Sequence, residues 1–167
     1  MWPNASRRPG PGSDRRVAPG PVIPPWHDDP VSAKLELLSP NIEVAVVTTN
    51  LAEMIEFYEN FLGLEFQSEL DFPGGSQRRY ALGGNVVKLV TYTPPPPEPT
   101  APGGGHAQAG IKYFSFGVQH LTQLAERVAA SPYELVEPLT EFEPVPGIAY
   151  LFVADPDGNW IEFFGTL

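Results

Sequence analysis

The chain has 167 residues and a formal net charge of −10, a length that holds one domain of ordinary size and no separate cofactor domain. Five of its ten basic side chains fall in residues 1–39, so residues 40–167 carry five basic against sixteen acidic groups, a net of −11. That sign argues against nucleic acid or an anionic membrane as partner. The absence of cysteine excludes disulfides, thiolate zinc sites and a cysteine nucleophile.

Residues 1–39 hold eight of the 21 prolines and few aliphatics. Such a segment cannot bury enough surface to offset its ordering entropy, so a disordered Pro-rich tail is expected. Its arginines have no apolar stretch behind them, and no apolar run in the chain approaches the ~18 residues of a membrane span. The expectation is therefore a cytoplasmic protein. Residues 40–167 form one domain, divided by the Pro/Gly run Pro94–His106 into module one (41–93), a linker (94–109) and module two (110–167).

Module one opens with an apolar, β-branched strand over Ile42–Thr48. Asn50 is placed to cap a helix in which Leu51, Met54, Ile55, Tyr58 and Leu62 recur at helical spacing and Gly63 provides the stop. Leu64–Leu70, Gln77–Leu82 and Val86–Tyr92 read as strands separated by turns at Pro73-Gly74 and Gly83-Gly84. Module two repeats the order: strand Ile111–Val118, helix His120–Ala130, then strands Tyr133–Val136, Ile148–Val153 and Trp160–Phe164, the last following Asp155-Pro156-Asp157-Gly158. Each half reads βαβββ, and the spacing of Glu43 to Leu51 equals that of Tyr113 to Leu121. Gly84-Asn85-Val86-Val87-Lys88 likewise matches Gly158-Asn159-Trp160-Ile161-Glu162, as a duplication would leave.

The repeat pairs Glu43 with Tyr113 and Lys88 with Glu162. Ionisable groups within apolar strands are costly unless partnered or used. Strand parity sets Glu43, Lys88, Tyr113 and Glu162 on the faces turned away from the helices, where two sheets closing around one another form a cup. Trp160 and Tyr92 then serve as cup walls. One of Arg78 and Arg79 points inward to meet an anion, Lys112 faces solvent, and His106 is linker only.

The strand, the helix with Phe57-Tyr58 and Leu62-Gly63-Leu64, and the closing Asp155-Pro156-Asp157-Gly158-Asn159-Trp160-Ile161-Glu162 resemble the vicinal oxygen chelate superfamily of glyoxalases, bleomycin-resistance proteins and extradiol dioxygenases. The resemblance covers residues 41–166. It implies an α+β fold of two βαβββ modules forming a U-shaped sheet cup and, in the metal enzymes, a divalent ion held by His and Glu on the first and last strands of each module. Only Glu162 matches its position; Glu43, Lys88 and Tyr113 stand where His, Glu and His are usual. Lysine cannot ligate while protonated, so the four-ligand set is incomplete and extradiol chemistry is disfavoured. A weakly held Mg, Mn or Zn ion between Glu43 and Glu162 stays open as a cofactor.

Glu43, Lys88 and Glu162 read either as a buried ion cluster, with Lys88 between two carboxylates, or as groups working on substrate. The leading functional expectation is a small-molecule isomerase, epimerase or lyase acting next to a carbonyl. Glu43 or Glu162 would move the proton, and Lys88 with Tyr113 would stabilise the enolate. The alternative is a non-catalytic drug- or metabolite-binding protein of the bleomycin-resistance type, its acidic charge and aromatic cup suiting a cationic ligand. The modules can pair within one chain or be exchanged in a homodimer.

Overall fold

The computed structural model of the chain describes residues 37–101, 104–107 and 109–167. The expected Pro-rich tail thus lies outside the described residues, except for its last three. Module one contains β1 (Glu43–Val47), helix α1 (Leu51–Ile55) continuing as a π-helix (Glu56–Phe61), β2 (Glu65–Phe72), β3 (Gly75–Leu82) and β4 (Asn85–Tyr92). The linker carries a short helix, α2 (Gly104–Ala107). Module two contains β5 (Tyr113–Val118), α3 (Leu121–Ala129), β6 (Leu135–Glu141), β7 (Ile148–Ala154) and β8 (Trp160–Thr166).

The modules build two four-stranded sheets of the same topology, ordered β1-β4-β3-β2 and β5-β8-β7-β6. In each the first strand runs parallel to the last, and the remaining pairs are antiparallel. The registers correspond as the repeat requires: Ala45 lies opposite Lys88 and Ser115 opposite Glu162. This is the α+β, two-module βαβββ fold expected from the sequence.

Burial follows strand parity. Val46, Val87, Leu89, Phe116, Ile161 and Phe163 enter one hydrophobic cluster with Met54, Phe57, Tyr58, Leu121, Leu124 and Val128 from the helices. Glu43, Lys88, Tyr113 and Glu162 stay outside it, on the opposite face. The helix of module one departs from the expected spacing. Its second half closes i→i+5 bonds such as Leu62 N to Phe57 O (2.9 Å), which widens the turn. Neighbouring residues Phe57 and Tyr58 are then both fully buried. Asn50 does not cap the helix through its side chain; its amide donates instead to Glu53 Oε2 (2.8 Å).

The core is shared between modules. The Phe57 and Phe61 rings each lie 4.7 Å from the Tyr133 ring, and Arg127 donates to the Phe61 carbonyl. The buried Tyr58 hydroxyl donates to Asp155 Oδ2 at 3.0 Å. Asp155 is the organising residue of the β7–β8 turn. Its Oδ1 accepts the backbone N–H groups of Asp157 (3.1 Å) and Asn159 (2.8 Å), and Asn159 Nδ2 donates to both of its oxygens. Gly158 closes the turn at φ +82°, a conformation glycine adopts without strain.

Candidate functional site

In module one, Glu43 is the first residue of β1, Lys88 sits in the middle of β4, and Arg79 lies on β3 directly across from Lys88. Lys88 Nζ approaches Glu43 Oε2 to 2.7 Å, and Arg79 Nη2 approaches Oε1 to 2.7 Å, with Nη1 3.3 Å from Oε2. Both carboxylate oxygens therefore face a cation. The Arg79 guanidinium, followed by the Lys88 ammonium, holds the Glu43 carboxyl well below the usual range, at about 2. Arg79 also donates to Gln67 Oε1 and Gln77 Oε1, each at 3.3 Å. Arg78, one residue away, points to the other face and pairs with Glu59 (2.7 Å) and Glu69 (3.2 Å). The inward member of the arginine pair is thus Arg79, and the anion it meets is Glu43.

The equivalent face of module two is aromatic and acidic. Tyr113, Tyr150, Phe152 and Trp160 project from β5, β7 and β8, with ring centroids of neighbours 5.0 to 6.0 Å apart. Glu162 accepts a hydrogen bond from Ser115, its register partner on β5. Tyr113, Tyr150, Phe152, Trp160 and Glu162, with Glu137, Phe142 and His106, line a cleft of about 270 Å³.

His106 enters that cleft because the linker docks there, against the expectation that it is linker only. Its Nε2 lies 3.0 Å from Glu137 Oε1, and its ring meets the Trp160 ring edge-on at 5.5 Å. Gly104 makes the approach possible. It has φ +49°, and a Cβ there would fall 1.9 Å from Trp160 Cε2, so any side chain would displace the strap.

The structure brings Glu43 and Lys88 together in module one and Tyr113 and Glu162 together in one cleft of module two. Lys88 does not bridge two carboxylates, as an ion cluster would have it. Among the described residues its ion pair is with Glu43, and the second group on Glu43 is Arg79. A divalent ion between Glu43 and Glu162 does not fit this donor set. Both Glu43 oxygens already bind cations, an ammonium occupies a ligand position, and Tyr113 is a phenol. Among the described residues no three His, Asp or Glu side chains are grouped to hold an ion. A larger cavity of about 500 Å³ lies between Leu62, Leu82 and Asn85 and the α3 side of module two. It contains none of the four expected residues.

Sequence reasoning missed Glu137 and His106 and did not separate Arg79 from Arg78. Arg79 follows from the hairpin register that sets it against Lys88, and Glu137 from a β6 that runs on to Glu141 instead of stopping at Val136. Nothing in a Gly-rich run signals where His106 docks.

Residues 42–163 match the model of the Glyoxalase/Bleomycin resistance protein/Dioxygenase superfamily. The chain belongs to that superfamily. Among solved structures, a glyoxalase family protein from Bacillus cereus is 20% identical with a TM-score of 0.67, covering 81% of this chain and 98% of its own. A glyoxalase/bleomycin resistance protein/dioxygenase domain from Frankia is 18% identical with a TM-score of 0.59, covering 80% and 94%. The trypanothione-dependent glyoxalase I of Leishmania major is 19% identical with a TM-score of 0.54, covering 74% and 84%. At these identities the likeness is one of fold. No curated protein sequence matches the chain significantly. Among the described residues no helix is long and apolar enough to cross a membrane.

Proposed function

We propose that this superfamily member binds a small organic ligand whose aromatic or cationic group seats in the module-two cleft, without a divalent ion. The observation that carries this reading is the cleft itself, where Tyr113, Phe152 and Trp160 surround two carboxylates, Glu137 and Glu162. Aromatic faces and carboxylates both favour a cation. Glu43 gives little support to proton transfer, because a carboxyl held at about 2 is a weak base near neutral pH. The reading is the non-catalytic, bleomycin-resistance-type alternative.

Titration with benzyltrimethylammonium, followed by calorimetry, tests it. Saturable binding that weakens at least about tenfold in Glu162→Gln, the scale of losing a charge partner in a partly buried site, is the expected result. Equal affinity in wild type and Glu162→Gln would overturn it.

A second reading rests on one feature of Glu162: among the described residues no Lys or Arg pairs with it. With no cation held against it, Glu162 is placed to act on a bound ligand, with the Tyr113 hydroxyl in the same cleft to donate to a developing oxyanion. This is the isomerase, epimerase or lyase expectation narrowed to module two. Deuterium uptake from heavy water into a carbonyl ligand, lost in Glu162→Gln, would favour it over simple sequestration.

A further inference from the structure

The cavity of about 500 Å³ beside α3 has nearly twice the volume of the aromatic cleft, at about 270 Å³, and shares no residue with it. Its size falls within the ~300–1,000 Å³ of small-molecule sites. Its composition sets it apart in a domain with sixteen acidic and five basic groups. The clefts beside Pro156 hold Glu98 with Asp157 and Glu53 with Glu56, and the aromatic cleft holds Glu137 with Glu162. Among the described residues that line the large cavity there is no Asp or Glu, and Arg127 is its permanent charge.

One side of α3 forms a wall. His120, Gln123, Leu124 and Arg127 line the cavity, at the spacing that sets residues on one face of a helix. Module one contributes Leu62, Leu64 and Leu82, all half-buried, whose remaining apolar surface an apolar ligand would cover. Arg127 reaches between the modules, donating to the Phe61 carbonyl with its guanidinium carbon 5.2 Å from the Phe61 ring centroid. That carbonyl is neutral and takes one of the five N–H donors of a guanidinium. Among the described residues no carboxylate forms an ion pair with Arg127. Gln123, one turn earlier on the same face, brings an amide donor beside it. Ser115 adds no donor, because its hydroxyl goes to Glu162, whose carboxylate lines the aromatic cleft.

We propose that this cavity is a separate ligand site for a small organic anion, its charged head on Arg127 and Gln123 and its apolar body against Leu62, Leu64, Leu124 and Phe163. From Arg127 back to His120 the helix rises ~10 Å, which matches a body of about eight carbons. The site stands independently of the reading of the aromatic cleft and has the opposite charge preference.

The test is an NMR titration of the full chain with octanoate at constant ionic strength, with 1-octanol as the neutral analogue and octyltrimethylammonium as the cationic one. Octanoate is expected to shift the methyl signals of Leu62, Leu64 and Leu124 saturably. It should bind at least about fivefold tighter than octanol, the scale of a partly exposed charged contact, and octyltrimethylammonium should leave those methyls unmoved. Arg127→Met, which keeps the apolar stem, should abolish the preference for octanoate over octanol, and Arg127→Lys should retain part of it. Each preference is a ratio within one variant, so a modest loss of stability does not imitate the result. Should Arg127→Met fail to fold, Gln123→Glu serves in its place: a carboxylate beside Arg127 should remove the preference for octanoate and admit octyltrimethylammonium. Absence of saturable leucine shifts with octanoate, equal affinity for octanoate and octanol, or a preference unchanged in Arg127→Met or Gln123→Glu would each overturn the site.

Discussion

Tyr58→Phe should cost the domain about 2 kcal/mol. The hydroxyl is fully buried and donates to a carboxylate that is itself 4% exposed, so neither group can turn to water in the variant. Hydrogen bonds to charged groups contribute roughly 1.5–3 kcal/mol. The lower half of that range applies, because Asp155 keeps its contacts from Asp157 and Asn159. For a domain of this size the loss corresponds to a fall in Tm of roughly 5–10 °C, measurable by calorimetry or by urea unfolding at constant slope. Asp155→Ala should cost more, since it strands the Tyr58 hydroxyl and the turn amides together, and a double-mutant cycle isolates the pair. There is also a signature in pH. Burial, and then the charge of Asp155, push the Tyr58 phenol well above its ordinary value of 10.0. A folded-state value above the unfolded one means stability is intact below pH 10 and is lost as pH rises beyond it. Tyr58→Phe should flatten that alkaline limb. A loss below about 0.5 kcal/mol, or an alkaline limb unchanged in the variant, would refute the claim that this bond ties the modules together.

Glu43 should show the opposite pH behaviour. Its folded value of about 2 lies below the ordinary 4.5, so its contribution is present above pH 4.5 and fades as pH falls towards 2. Carboxyl-detected NMR should find the Glu43 midpoint rising in Arg79→Gln and, less strongly, in Lys88→Met; an unmoved midpoint in both would contradict the pairing. Gly104→Ala should leave Tm within about 1 °C yet alter Trp160 fluorescence and abolish the His106–Glu137 contact, because a Cβ cannot share space with the indole. Retained contact in that variant would show that the strap does not depend on this glycine. Adding Mg, Mn or Zn, or EDTA, should leave Tm unchanged, whereas a saturable rise with one of these ions would show linkage to a metal site.

Much of the fold was legible because it rests on alternation. Val44/Val46 against Glu43/Ala45 and Phe114/Phe116 against Tyr113/Ser115 divide the strands into two faces by residue type alone, and the repeat supplies the strand order. What could not be read were features that depend on contacts distant in sequence. The π-helical widening that buries Phe57 beside Tyr58 follows from packing on Tyr133 of the other module. The assignment of Lys88 to Glu43 alone depends on Arg79 reaching across from β3, and the docking of His106 depends on the conformation of Gly104 and on the Trp160 indole at the far end of module two.

What holds the fold and what lines the module-two cleft are separate sets of residues. Asp155-Pro156-Asp157-Gly158-Asn159, the most distinctive motif of the chain, spends its carboxylate and amide on the turn and on Tyr58. Its function is architectural: it fixes the register in which β8 enters the sheet, and thereby the face on which Trp160 and Glu162 emerge. The four positions that the repeat singled out carry the divergence. With a cation pair on Glu43, and across the cup a phenol and a carboxylate held only by Ser115 among the described residues, a charge arrangement that one metal ion could organise is divided between two halves of opposite character.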